Sequence, residues 1–242
     1  MRRMMVFAAR NRREILRDPL TLCFALLMPL ALLGLMTAIQ NSVPVEIFAL
    51  PKLTPGIAVF SLSFITLFSG ILIAKDRSTA FSMRLFVSPL SSSECILGYC
   101  LPLLPIAMLQ AAACFLLALC LGLTATPRIL LSLLVMIPAA LLYIAFGLLF
   151  GVLFNDKQVG GFFSIFVNVT TWLSGIWFDL SLIGGAFSAI SYALPFVHAV
   201  DAAHAALAGD YGEILPHLLY VFLYTAAAFA AAVLLFRRKR RS

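Results

Sequence analysis

The chain has 242 residues, of which 63% are hydrophobic and only 11% charged, and its mean hydropathy is +1.07. A soluble domain carries about 25% charged residues, so this composition excludes a soluble protein and indicates an integral membrane protein. The net charge of +7 comes from basic residues at the ends of apolar stretches, which argues against a nucleic-acid partner.

The first predicted element is a basic amphipathic helix over residues 1–18. At 100° per residue, arginines share one face and apolar residues share another: Arg3, Arg10, Arg13 and Arg17 against Met4, Phe7, Ala8 and Ile15. Such a helix lies at a membrane surface. Asp18-Pro19 then ends it and starts the first span. The alternative is that these arginines only fix the topology.

Six uncharged runs are long enough to cross a bilayer, which takes roughly 20 apolar residues. They cover residues 19–45, 53–74, 95–127, 129–155, 158–178 and 214–236. If both termini are cytoplasmic, every Lys and Arg except Lys52 and Arg128 lies on the cytoplasmic side. The sequence therefore predicts an all-α membrane protein with six transmembrane helices and cytoplasmic N- and C-termini.

A seventh uncharged run, 180–200, precedes the last span. As a full span it would put the basic tail 237–241 on the far side, against the positive-inside rule. The run also contains Gly184-Gly185 and Pro195, which interrupt helices. Residues 179–213 are therefore predicted to form an external re-entrant hairpin, with its backbone buried in protein.

The cytoplasmic loop 75–93, between spans 2 and 3, is the longest polar interruption of the chain. Phe81 and Leu85 lie four residues apart, as on one face of a short amphipathic helix. Pro89 ends that helix. Ser91 and Glu94 then have the spacing of a capping box, which predicts a new helix starting there and running to about residue 121.

Two further patterns concern packing and thiols. Gly147-x-x-x-Gly151 indicates close helix packing, either within one chain or between two. The five cysteines are odd in number and contain no CxxC spacing. They favour buried free thiols over a disulfide framework or a zinc site, and no metal site is expected.

Catalytic chemistry has few candidates in this sequence. No glycine is followed by lysine, so the chain has no P-loop, and any ATP must be bound by another polypeptide. His198, Asp201 and His204 follow at three-residue steps and could serve a membrane-embedded enzyme. The simpler interpretation is that they mark the aqueous edge of the hairpin.

Span 5 holds the densest group of neutral polar residues in any span. Asn168, Thr170, Thr171 and Ser174 lie there beside Trp172. They suit a path for an amphiphilic cargo, and equally interhelical hydrogen bonds. The spans contain no charged relay, which argues against a proton- or sodium-driven carrier.

Over essentially its whole length the chain resembles the permease subunits of type-2 ABC exporters of the multidrug and antibiotic-resistance kind. Four stretches carry the resemblance: Arg17-Asp18-Pro19, residues 84–91 (RLFVSPLS) with Glu94, Leu173-Ser174-Gly175, and residues 194–201 (LPFVHAVD) with Gly209-Asp210. Residues 75–80 (KDRSTA) differ from the family, which has several glutamates and a Gly-Thr there. The proline often found just after span 5 is also missing.

The resemblance implies a membrane permease of the bacterial cytoplasmic membrane, not itself an enzyme. Two permeases, as a homodimer or with a sister permease, would form the substrate pathway. Two separate ATPase subunits would bind ATP and Mg. The loop helix would seat in a groove of the ATPase, and drugs, lipids, peptides and glycans are all possible cargoes.

The residues that the sequence pattern and the resemblance together single out form three sets. The ATPase-coupling set is Phe81, Arg84, Leu85, Phe86, Ser88, Pro89, Ser91 and Glu94. The interface helix contributes Arg10, Arg13, Arg17, Asp18 and Pro19. The substrate-pathway set is Asn168, Thr171, Trp172, Ser174, His198 and Asp201. The rival functions are the embedded enzyme and a non-transporting membrane sensor or assembly component.

Overall fold

The structure is a computed structural model that describes residues 2–42, 48–178 and 180–241, with the backbone alone described at residues 20, 21, 82, 84, 86, 181 and 241. The described residues form α-helices and no strand, which confirms the all-α prediction. In chain order the helices are α1 (Arg2–Leu16), α2 (Pro19–Gln40), α3 (Leu50–Ser78), α4 (Phe81–Phe86), α5 (Ser92–Cys120), α6 (Arg128–Leu153), α7 (Asp156–Leu173), α8 (Leu180–Ile183), α9 (Gly185–Ala193), α10 (Pro195–Ala208) and α11 (Tyr211–Arg241).

Five of the described helices are long and apolar enough to cross a membrane, namely α2, α3, α5, α6 and α11. A sixth candidate is the pair α9 and α10, which meet at an angle of 80° across Leu194. The predicted fifth span, α7, falls short because its 18 residues begin with Asp156, Lys157 and Gln158. The expected multi-pass membrane protein is confirmed, and the bend at Leu194 fits either a broken span or the predicted re-entrant hairpin. Asp179, where that hairpin was predicted to begin, lies outside the described residues.

Helix α3 is the centre of the bundle, and α6 packs closely on it. A Cβ added to Gly147 would collide with the carbonyl oxygen of Thr66 and the hydroxyl of Ser69. A Cβ on Gly151 would collide with α3 in the same way. The Thr66 hydroxyl donates to the Tyr143 carbonyl at 2.9 Å. The Gly-x-x-x-Gly spacing therefore serves packing within one chain.

Gln110 of α5 ties two neighbouring helices to the bundle. Its side-chain amide donates to the carbonyl of Ala25 in α2 at 2.7 Å and to that of Ser61 in α3 at 2.9 Å. Gln110 is buried. Because a polar group inside a membrane is costly unless it has partners, these bonds make α2, α3 and α5 one unit.

The bundle has two distinct ends. At one end lie α1, α4, the ends of α3, α6 and α11, and the starts of α5 and α7. At the other end lie the starts of α3, α6 and α11 and the end of α10, where Arg128 donates to the Ala208 carbonyl. Lys52 and Arg128 are at this second end, and the other described basic residues are at the first. The structure thus separates basic residues as the predicted topology requires.

Candidate functional site

A buried ion pair joins the surface helix α1 to the end of α3. Arg10 donates from both terminal nitrogens to the Asp76 carboxylate, with Nη2 at 2.8 Å from Oδ1. The Tyr99 hydroxyl of α5 donates to the same carboxylate at 2.9 Å. Asp76 is 5% exposed and Tyr99 is fully buried. A carboxylate so far from water requires such partners, so three helices meet at one charge.

The arginine of this pair differs from the other arginines of its helix. Arg3 and Arg13 of α1, and Arg17 just after it, are exposed, as an aqueous face requires, whereas Arg10 turns to the protein. Burial alone lowers the pKa of Arg10, but the hydrogen bond and negative charge of Asp76 outweigh it, so this pKa lies above its usual value. Arg10 is therefore a permanent cation within the junction.

Aromatic rings extend this junction to the short helix α4. The guanidinium carbon of Arg10 lies 4.2 Å from the centre of the Phe81 ring, a cation–π contact. Phe7 of α1 stacks on Phe81 at 6.3 Å and meets Tyr99 edge-on at 4.9 Å. Because these rings are in contact, a displacement of α4 would also displace α1 and α5.

A second polar contact holds α1 to α5. Pro102 cannot donate to the carbonyl of Gly98 four residues earlier, so this carbonyl lacks its usual helical partner. The side-chain amide of Asn11 donates to it at 3.1 Å. Gly98 also lies against the ring of Phe7, where a Cβ would approach a ring carbon to 2.5 Å. A glycine is required at this contact.

The predicted coupling residues in α4 and the turn after it (residues 81–91, the α4 loop) differ in exposure. Leu85 is 6% exposed and packs inward, together with half-buried Phe81. The exposed apolar side chains are instead those of Met83 and Val87, with exposed fractions of 75% and 87%, next to exposed Pro89. The side chains of Arg84 and Phe86 lie outside the described part of the chain.

The predicted capping box at the start of α5 is confirmed. The backbone N–H of Ser91 donates to Glu94 Oε2 at 2.8 Å, and the backbone N–H of Glu94 donates to Ser91 Oγ at 3.2 Å. Just before it, the Ser88 hydroxyl donates to the Leu85 carbonyl at 2.7 Å. The segment from Leu85 to Glu94 is therefore held by local hydrogen bonds.

The end of α11 binds this same segment, which the sequence analysis did not anticipate. Arg240 donates to the backbone carbonyls of Ser88, at 2.8 Å, and Leu90. These carbonyls flank Pro89. One residue earlier, Lys239 donates to the Val152 carbonyl at the end of α6 at 2.6 Å. The basic tail thus has a structural role in the packing of the bundle.

Arg77 of α3 shares the α6 terminus with Lys239. Its guanidinium donates to the carbonyls of Gly151, at 2.6 Å, and Val152. The last carbonyls of a helix lack intrahelical partners and attract cations. The only sequence signal for this contact is a cation at the end of an apolar span.

The histidine cluster at the other end of the bundle is arranged around two helices. Nδ1 of His198 in α10 lies 2.8 Å from Nδ1 of His217 in α11, and Nε2 of His198 lies 3.0 Å from the Tyr192 carbonyl. The Tyr220 ring stacks on His198 at 4.2 Å. Both nitrogens of His198 are engaged, which disfavours a role as catalytic base.

Asp201 and His204 lie in a cavity of about 430 Å³ beside His198. Lys52, Asp210, Glu213 and His217 also line it. Among the described residues, no group of three His, Cys, Asp or Glu side chains is arranged to hold a metal ion. The cavity at this end of the bundle is therefore lined by charged and histidine side chains.

The predicted pathway residues on α7 divide between its surface and its packed side. Asn168 and Trp172 are exposed, Thr171 is half-buried and Ser174 is buried. The Asn168 amide donates to the Ser164 carbonyl at 2.8 Å. His198 and Asp201 lie on another helix, α10.

Comparison with known families and proteins gives two results. A family model described as ABC-2 type transporter matches residues 2–208. A search of curated proteins finds no match. The matched range includes the ion-pair junction, the α4 loop and the bent helix pair α9–α10.

Proposed function

The chain belongs to the ABC-2 type transporter family, and on this premise we propose that it exports its cargo with energy from two separate ATPase subunits. Membership makes it a permease subunit of an ABC transporter. We assign it to the bacterial cytoplasmic membrane, with the Arg10–Asp76 end in the cytosol. The concentration of Lys and Arg at that end supports this orientation.

The observation that carries the coupling proposal is the exposed turn of α4. Met83 and Val87 present apolar surface at an end of the bundle that is otherwise rich in charge. On its inner side, Arg10 contacts Phe81 and Arg240 donates to the Ser88 carbonyl, and the capping box fixes the start of the next helix. A firmly held helix with an apolar outer side suits a groove on a partner protein. Met83, Val87 and Pro89 are therefore the proposed contacts with the ATPase.

The junction behind the turn would transmit the motion. ATP and Mg bind in the partner, and closure of two ATPase subunits would push on α4. Phe81 passes this displacement to Arg10 and Phe7, and the capped start of α5 carries it into the membrane. Such a device works if the permease has two packed arrangements that nucleotide binding biases.

The surface of α7 supports a second permease copy. Gly161, Ser164 and Asn168 are exposed along one face, at spacings of three and four residues. An exposed amide facing lipid is unfavourable, so this face is expected to meet protein or water. Two α7 faces opposed across a dimer would provide both, with a polar pathway between them.

Co-purification tests the proposal directly. The tagged permease is extracted from its native membrane in mild detergent, and co-eluting proteins are identified by mass spectrometry. A stoichiometric partner with a P-loop sequence supports the permease function. Recovery of the permease alone, beside an intact control complex, contradicts it and favours the sensor or assembly role.

A further inference from the structure

A groove runs between α1 and α5 on the side of α1 away from the Asp76 junction. It has a volume of about 360 Å³, and every lining side chain except that of Arg12 is apolar. Met5, Ala9 and Leu16 line it from α1, and Leu101 and Pro105 line it from α5. The groove therefore combines one cation with apolar walls.

Arg12 is an exposed arginine that lies on the apolar side of α1. It projects about 160° from Arg10 around α1, since each residue turns the helix by about 100°. Its helical neighbours on that side are Met5, Ala9 and Leu16, all apolar. Within the described residues, Arg12 has no hydrogen bond or ion pair. An exposed guanidinium beside apolar walls is free to form charge-assisted hydrogen bonds with an anion from outside the chain.

The apolar wall of the groove continues into the membrane. Leu101, Pro105, Leu109 and Leu116 of α5 are all exposed and follow each other on the same side of the helix. From Leu101 to Leu116 they extend over about 22 Å at 1.5 Å per residue. This stripe gives an acyl chain a continuous surface that starts beside Arg12.

We propose that this groove binds one phospholipid whose headgroup carries a net negative charge. Arg12 receives the phosphate, since a guanidinium can donate two parallel hydrogen bonds to phosphate oxygens. One acyl chain lies between Ala9 and Pro105 and follows α5. The other arginines of α1 surround the site with positive potential, which favours an anionic lipid over a zwitterionic one. This site is independent of cargo, of the ATPase and of the second permease.

Native mass spectrometry of the delipidated full chain in detergent tests the site. Phosphatidylglycerol or phosphatidylcholine with identical acyl chains is added, and bound lipids are counted. We expect one phosphatidylglycerol to bind well before any phosphatidylcholine. Arg12→Gln should weaken this binding about fivefold or more, and Arg12→Lys, which keeps the charge but not the two parallel hydrogen bonds, should weaken it less. Filling the groove with Ala9→Phe, at an exposed position, should also weaken it.

The matched control is Arg17→Gln, which removes an exposed arginine from the turn just after α1. It should change phosphatidylglycerol binding by less than twofold. Equal losses in Arg12→Gln and Arg17→Gln would mean general attraction to a basic surface, and would overturn the proposal. Full binding by Ala9→Phe would exclude an acyl chain from the groove. Equal binding of phosphatidylglycerol and phosphatidylcholine would show that the net charge of the headgroup does not determine binding, and would overturn the proposal.

Discussion

Arg240, two residues before the end of the chain, donates a hydrogen bond of 2.8 Å to the carbonyl of Ser88, 152 residues earlier. Its second hydrogen bond, to Leu90, places the guanidinium across the turn at Pro89. The last helix therefore supports the exposed turn that we assign to the ATPase. The end of α11 thus binds the segment between α4 and α5.

Replacing Arg240 by alanine should loosen this turn. Each hydrogen bond from a charged donor contributes about 1.5–3 kcal/mol, and every 1.4 kcal/mol corresponds to a factor of about ten. Hydrogen exchange of residues 81–91 should therefore speed up at least about tenfold. The control is Arg238→Ala, at an exposed position of the same helix. Equal exchange rates in both variants would contradict a supporting role for Arg240.

Arg10→Ala should destabilise the protein, because it leaves the Asp76 carboxylate buried with one partner fewer. We expect a loss of about 1–3 kcal/mol in the free energy of unfolding in detergent. Arg13→Ala, at an exposed position, should stay within about 0.5 kcal/mol of wild type.

The double variant Arg10→Ala/Asp76→Ala isolates the pair. Removing both charges should cost less than the sum of the two single changes. Strict additivity of the three unfolding free energies would show that the two side chains do not act as a pair.

Substitutions on α4 should separate partner binding from folding. Met83→Asp and Val87→Asp place a carboxylate on exposed surface and should abolish co-purification of the ATPase without lowering thermal stability. Leu85→Asp buries a carboxylate instead and should lower the stability of the permease itself. Met83→Leu, as the conservative control, should keep the partner. Retention of the ATPase by both aspartate variants would move the contact elsewhere.

The contact between α3 and α6 leaves no room for a methyl group. Gly147→Ala should destabilise the protein by about 1–3 kcal/mol, because the new Cβ meets the backbone of Thr66. Gly34→Ala in α2 meets no atom within 4 Å and should be neutral or stabilise by up to about 1 kcal/mol. Thermal unfolding in detergent measures both, and similar midpoints would contradict the close packing.

If the α7 faces of two permeases oppose each other, a cysteine on that face should form a disulfide between the two chains. In a background with Cys23→Ser and Cys120→Ser, Asn168→Cys should form cross-linked dimers in membranes under mild oxidation. Leu219→Cys is equally exposed but lies on α11, and it should remain monomeric on the gel. A dimer from Leu219→Cys alone would place the interface on the other side of the bundle.

Local patterns in the sequence predicted local structure well. The capping box needs only Ser91 and Glu94 three residues apart, so its spacing identified the start of α5. The run of apolar residues likewise gave the approximate limits of most spans. For α7 the absence of charge from residue 158 onward suggested a span, but the helix ends at Leu173.

Contacts between distant residues were beyond sequence reasoning. Arg10 fits the amphipathic pattern as well as Arg13 does, and nothing local pairs it with Asp76, 66 residues later. Arg240 stands in a run of basic residues in which no position is distinguished. The spacing of Phe81 and Leu85 correctly put them on one face, yet a single sequence does not say which apolar surface that face meets. In the structure, Phe81 and Leu85 pack against the chain's own helical bundle.

The hydrogen bond between Arg240 and the Ser88 carbonyl also determines when, during synthesis of the chain, the turn at Pro89 becomes fully supported. Ribosomes add residues from the N-terminus onward, so α4 and its turn are complete long before Arg240 is synthesised. Until then the turn lacks two of its hydrogen bonds. A chain that is truncated within α11 can insert its earlier spans, yet it presents the ATPase with an unsupported turn. The proposed docking surface is thus complete only once α11 has been synthesised to its last turn.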